Sequence, residues 1–204
     1  MGGKRPYGVA FSPDGSRLAI GYHDSIAVDV LDAATLGRLF GADAGGMEGD
    51  GLQTVAWSVD GSALFAAGGL WSAGGKPVRR WPASGAGSFT DLRLALADNN
   101  VTGLRSLPHG RLAFAAADPV LGVLGVNGRE KWSRGPTQAD YRGQADALAV
   151  SANGAQIAFG YEVRGPVTGD VLARRTAAGG RPSFGRADGG SDYGTGAHGR
   201  GVEE

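Results

Sequence analysis

A chain of 204 residues is long enough for one domain with a real core, and its 20 basic and 20 acidic residues leave a formal net charge of +0. That balance removes the simplest electrostatic argument for a nucleic acid or an anionic membrane as partner. With 0 cysteines, disulfides, thiolate metal sites and cysteine nucleophiles are excluded as well.

In chain order, Met1-Gly2-Gly3-Lys4-Arg5-Pro6-Tyr7 runs straight into the first strand with no apolar leader, and no run approaches the ~18 apolar residues of a membrane span. A soluble, cytoplasmic protein without a signal peptide is the expectation. Val9-Ala10-Phe11-Ser12-Pro13-Asp14-Gly15-Ser16-Arg17-Leu18-Ala19-Ile20-Gly21 reads as strand, tight turn, strand. Pro13 suits the second position of a type I turn, and Gly15 supplies the positive φ where the chain re-enters the second strand. Ile26–Asp32 gives a third strand and Gly37–Phe40 a fourth.

An acidic, glycine-rich loop covers 41–51. The second unit pairs Thr54–Ser58 with Ala63–Ala67, inserts a long loop at 68–76, and continues with Pro77–Trp81 and Ser88–Leu92. Val101–Leu107, Arg111–Ala116, Val120–Val126 and Glu130–Ser133 make the third, with Asn127-Gly128 as a hairpin turn. The fourth carries Ala147–Ser151, Gln156–Tyr161, Asp170–Arg175 and a last segment, Arg181–Phe184.

The turn phrase therefore occurs four times, with glycines at 15, 61, 110 and 154. That spacing lies near the ~40–50 residues of a propeller blade. All four glycines are expected at positive φ. First and second strands are near-continuous apolar runs, as in sheets covered on both faces, with Ala and Gly at 19, 21, 66, 67, 115, 116, 158 and 160 allowing close approach. Third strands alternate, so Asp29, Arg79 and Arg174 are expected to point to solvent. The fold class is all-β: a propeller of four blade units at about 7–40, 52–92, 101–134 and 146–184, partial or open, or else a tight closed ring latched through 181–184. An open ring would leave apolar sheet faces uncovered and self-associate. Residues 185–204, rich in Gly, Asp, Ser and Arg, are expected to be a disordered tail.

Ala10-Phe11-Ser12-Pro13-Asp14-Gly15, Ala56-Trp57-Ser58-Val59-Asp60-Gly61 and strands ending Leu31-Asp32 and Arg80-Trp81 carry a resemblance. Over about 7–184 the chain resembles a bacterial WD-repeat β-propeller, although it has no Trp-Asp dipeptide and no Gly-His before each first strand. The family's buried Asp-His-Ser-Trp network is accordingly expected to be absent. Ile26–Asp32 and Ala115-Ala116-Ala117-Asp118-Pro119 are similar to propeller segments of bacterial proteins that join such repeats to a caspase-like peptidase domain. That peptidase is a separate domain with a Cys-His dyad, so none of its chemistry carries to this chain. The resemblance implies a non-catalytic protein-interaction scaffold, a fragment or module of a larger signalling or peptidase-associated protein.

Candidate chemistry is sparse, and no catalytic, cofactor-binding or metal residue is assigned. Gly69…Gly74-Gly75-Lys76 has the wrong spacing for a phosphate loop, with Pro77 where a hydroxyl should bind Mg²⁺. Asp43, Glu48 and Asp50 lack the spacing of a calcium loop, and His23, His109 and His198 do not pair at metal-ligand spacing. Asn100-Val101-Thr102 matches a glycosylation acceptor, which carries no weight without a secretory signal. The competing function is a metal-dependent propeller hydrolase or lactonase, which needs polar residues lining the central channel. The innermost strands offer Val9, Val55, Leu104 and Leu148, with Phe11, Trp57, Ser106 and Val150 two residues on. A protein partner is therefore the expectation. Trp57 and Trp81 are read as core and Trp71, in the long loop, as the displayed aromatic and candidate partner contact. Loops 41–51, 68–76 and 91–100 are expected to form the contact patch if they share one end.

Overall fold

Short apolar runs broken every few residues by Gly, Pro or Ser-x-Asp-Gly favour antiparallel hairpins, and hairpins are what form. The structure, a computed structural model, describes residues 2–45, 49–72, 75–118, 120–135, 148–159 and 162–174. Four strands make each of four sheets. The first holds β1 (Pro6–Phe11), β2 (Arg17–Tyr22), β3 (Val28–Asp32) and β4 (Arg38–Gly41). The second holds β5 (Thr54–Trp57), β6 (Leu64–Ala67), β7 (Val78–Trp81) and β8 (Thr90–Leu92), with a single 3-10 turn at Ala83–Gly85. The third holds β9 (Val101–Leu107), β10 (Arg111–Ala116), β11 (Val120–Leu124) and β12 (Glu130–Arg134), and the fourth β13 (Leu148–Val150), β14 (Ile157–Phe159), β15 (Glu162–Arg164) and β16 (Val171–Arg174). Each sheet is a meander in sequence order.

Three of the four sheets fall where the sequence puts them, to within about three residues per strand. The fourth differs. The sequence reading places Asp170–Arg175 third, whereas Val171–Arg174 is the fourth strand and Glu162–Arg164 the third. A closed turn separates them, in which the Gly165 amide donates to Asp170 O and the Gly169 amide to Gly165 O, with Gly169 at φ 74°. Glu-Val-Arg, one apolar residue between two charges, carries too little pattern to read as a strand. The segment 181–184, its latch onto the first sheet, and the tail 185–204 lie outside the described residues.

The hairpin turns hold the blades in register. Gly15, Gly61, Gly110 and Gly154 all have positive φ, between 66° and 72°. In the first blade Ser12 Oγ accepts the Arg17 amide at 2.9 Å and donates to Asp14 at 2.5 Å, while Asp14 also accepts the Ser16 amide. Ser58 and Asp60 repeat this, and Asn153 replaces the carboxylate in the fourth blade. The third turn has no such serine, and His109 joins Gly110 at positive φ.

The sheets stack face to face through three apolar seams. Ala10, Ala19, Val28 and Val30 of the first pack on Val55, Trp57, Leu64, Ala66 and Trp81 of the second. Ala56, Phe65 and Val78 of the second meet Leu104, Leu112, Phe114 and Val120 of the third. Ala113, Leu121, Val123 and Trp132 of the third meet Leu148, Ile157 and Phe159 of the fourth. Alanines on the second strands (Ala19, Ala66, Ala113, Ala115 and Ala158) are buried in these stacks, where their small side chains let neighbouring sheets approach closely. Near the axis the approach is close enough that a Cβ on Gly8 would strike Gln53 O.

Candidate partner-binding face

Strand alternation puts a side chain on one sheet face or the other, so on an innermost strand most side chains enter the seams and only the strand edge faces the axis. Leu104 and Leu148, expected to line a channel, are buried in those seams instead, whereas Val9 and Val55 do border a groove along the inner strands. That groove, of about 220 Å³, is lined by Tyr7, Gly8, Val9, Gln53, Thr54, Val55, Thr102 and Arg105. Its polar groups are hydroxyls, one amide and a guanidinium. Among the described residues no three His, Cys, Asp or Glu gather to hold a metal ion. His109 is exposed, and His23 lies with its ring centroid 6.0 Å from that of Tyr7. Glu48 and His198 lie outside the described residues.

The third-strand charges also depart from expectation. Asp29 and Arg79 are fully buried, not solvent-facing; the side chain of Arg174 lies outside the described residues. Register shows why charge is tolerated there. The cross-sheet rows are Val9–Ile20–Asp29–Gly41, Val55–Ala66–Arg79–Asp91, Leu104–Phe114–Gly122–Ser133 and Leu148–Phe159–Glu162–Arg174. Asp29, Arg79 and Glu162 thus share one register position on the third strands, and on β3 and β7 a residue of the fourth strand lies close enough to pair with the charge. Asp29 accepts from Arg38 Nε at 2.9 Å, Tyr22 Oη at 2.8 Å and the Gly2 amide at 2.8 Å. Burial pushes its carboxyl up, but the hydrogen bonds of Arg38, Tyr22 and Gly2 outweigh that and hold it below its ordinary value. Burial, then Asp29, pushes the Tyr22 phenol up to about 12. Arg79 forks onto Asp91 through Nε at 2.8 Å and Nη2 at 3.0 Å, donates from Nη1 to Ala44 O, and stacks 3.7 Å from the Phe89 ring centroid. In the third sheet the position is Gly122, and the Phe114 ring occupies the space its Cβ would need.

The up-and-down order brings the loops that follow β2, β4, β6 and β8 to one end of the stack. Loops 41–51, 68–76 and 91–100 share it, as the sequence reading required. A continuous run of backbone bonds joins them. The Leu52 amide donates to Ser25 O, Gly69 to Gly51 O, Val101 to Gly68 O and Ala117 to Asn100 O. Gly49 and Leu70 form a bridge.

Trp71 rises from the middle of this belt, 55% exposed, next to fully buried Leu70. Ser72 and Gly75 exchange two backbone bonds of 3.1 Å, closing the loop tip. Lys76 Nζ lies 5.2 Å from the indole centroid and donates to Gly69 O at 2.8 Å. The ring is displayed and held, which lowers the entropy lost when it docks. Asp43, Asp50, Leu96 and Asp98 are exposed on the same loops. Trp57 and Trp81 are buried, as expected.

Four radially stacked, four-stranded meanders joined end to outer edge define a β-propeller, here a partial, open one. Solved structures agree. The chain superposes on the beta-propeller domain of Myceliophteria thermophila Cps50 (Swd1) with a TM-score of 0.64 at 18% identity, covering 89% of this chain and 58% of that one. It superposes on hydrazine synthase of Kuenenia stuttgartiensis with a TM-score of 0.65 at 15% identity, covering 83% and 48%. The chain therefore spans about half the length of these structures. No family model matches the sequence, and no curated protein matches it. No helix among the described residues is long and apolar enough to cross a membrane.

Proposed function

We propose that this chain is a non-catalytic protein-interaction scaffold of WD-type propeller blades whose contact face is the loop end and whose anchor is Trp71. The observation that carries the reading is a large exposed aromatic fixed over Lys76 on a hydrogen-bonded belt of loops. Rigid aromatic anchors of this kind dominate binding energy at protein interfaces. The acidic residues around the loops favour a partner with a basic rim. The resemblance to bacterial WD-repeat proteins joined to caspase-like peptidases supports a setting in the cytoplasm, as one module of a longer signalling or peptidase-associated protein. Capture of binding proteins on immobilised wild type and Trp71→Ala tests the anchor. The expected outcome is a loss of about 30-fold or more in affinity, the ~2 kcal/mol of an interface hot spot, with an unchanged melting midpoint. Full retention of every partner removes Trp71 from the contact.

A further inference from the structure

One row of each sheet faces the next blade, and in two of the three seams that row ends alike. It ends Val30–Phe40 in the first sheet and Val123–Trp132 in the third. Both valines are fully buried, and the aromatic ring seats on the turn between the third and fourth strands of the following blade. A Cβ on Gly85 would meet Phe40 at 3.5 Å, and one on Gly169 would meet the Trp132 ring at 2.8 Å. The second sheet departs from this pattern, because its row ends Arg80–Thr90. Over Gly128, the matching glycine of the third blade, stands Leu92, an aliphatic residue from the neighbouring row.

Where the valine and the ring are replaced, the seam holds a pocket of about 100 Å³. It lies at the end of the stack opposite Trp71, beside the turns that carry Ser62 and Gly128. Phe65 and Leu92 wall it on one side and Leu112 and Leu124 on the other, and Arg80 lines it. Arg80 is half-buried, and among the described residues it makes no hydrogen bond or ion pair. Asp60 also borders the pocket, but it is exposed, and it already accepts from Ser58 Oγ at 2.6 Å and the Ser62 amide at 3.0 Å. A partly desolvated guanidinium without an anion costs stability, and a carboxylate offsets that cost through charge-assisted hydrogen bonds.

We propose that this pocket docks a peptide segment of a partner that presents an aromatic ring beside a carboxylate. The other two seams show what such a space holds, a ring on the outer-turn glycine, and Arg80 supplies the charge that selects the acid. At about 100 Å³ the pocket approaches the ~150 Å³ that holds a benzene ring, and half-buried Leu92 is the side chain that turns to admit one. Val59 and Val126, 54% and 76% exposed on the flanking turns, extend the apolar surface past the pocket, which suits a chain rather than a small free acid. The site is independent of the Trp71 face.

The probe is the peptide acetyl-Gly-Phe-Asp-Gly-amide, titrated to millimolar concentration into the full nitrogen-labelled chain and followed by amide and arginine side-chain resonances. Shifts should gather at Arg80, Leu92, Leu124 and Gly128. Replacing the peptide's Asp by Asn should weaken binding about 10-fold or more, the worth of a charged hydrogen bond. Arg80→Gln should remove that preference, and Trp71→Ala should leave binding unchanged. Arg80→Val/Thr90→Phe restores the row ending of the first sheet, so it should abolish binding while the melting midpoint holds or rises. The comparison of the two peptides on the wild type needs no variant to fold. No shifts at millimolar peptide, equal affinity for the Asp and Asn peptides, or shifts centred elsewhere overturn the proposal. Phenylpropionate binding as tightly as the peptide overturns it too, and makes the ligand a free acid.

Discussion

Asp14 and Asp60 show how much one residue type can do in a turn. The Ser12 hydroxyl, then the Ser16 amide and hydroxyl, draw the Asp14 carboxyl from 3.8 down to about 2, and Ser58 with Ser62 does the same to Asp60. Because the folded values lie below the unfolded one, both carboxylates contribute stability that is fully present above about pH 4. It is lost as pH falls through about 2. Asn153 accepts the same serine hydroxyl, at 2.9 Å, so Asn preserves the turn. Asp14→Asn/Asp60→Asn should therefore fold, and its melting midpoint should fall less between pH 5 and pH 2 than that of the wild type. Parallel curves would mean that these turns do not govern acid sensitivity. The turns were legible in the sequence because Ser-x-Asp-Gly is a local code, complete within five residues.

At the scale of the strand, legibility depended on the number of residues available to show a pattern. β9 and β10, at seven and six residues, fall where the sequence reading ends them, while the three-residue β15 was missed. Alternation also misled where it was strongest. A charge on β3 or β7 looks solvent-facing in the sequence until a fourth strand brings Arg38 or Asp91 over it, and that partner lies nine to twelve residues away. Arg79 is the sharper case, since its side chain is fully buried. Arg79→Ala should cost about 3–5 kcal/mol in urea unfolding, the usual loss when one member of a buried pair is removed. The matched apolar pair Arg79→Met/Asp91→Leu should recover most of that. If Arg79→Ala costs under about 1 kcal/mol, the pair is structurally idle.

Across the whole molecule, stability is a sum over seams, as in other repeat proteins. The second and third sheets are covered on both faces, whereas the first has one face open. Amides of β6 and β10 should therefore exchange more slowly than those of β2 when hydrogen exchange is followed on dilute monomer. Equal protection would show that the four sheets open as one unit. The repeat count and the shared loop end could be read from the sequence, because both follow from the meander order. The open face and the lining of the axis could not. Both depend on which sheet lies beside which, and identical repeats leave that unstated: Val9 and Val55 read alike in sequence, yet one is exposed and the other buried.

The buried indoles give this arrangement an optical signature. Trp57 Nε1 donates to Ala10 O across the first seam, Trp81 Nε1 to Asp43 O in the loop between the first two sheets, and Trp132 Nε1 to Pro166 O across the last. Each indole is thus a chromophore fastened to a neighbouring module by a bond that breaks when the modules part. Trp71, in water, emits at long wavelength whatever the seams do. With Trp71 replaced by Phe, the remaining emission becomes a reporter of blade separation, and single-tryptophan chains would time the opening of one seam against another.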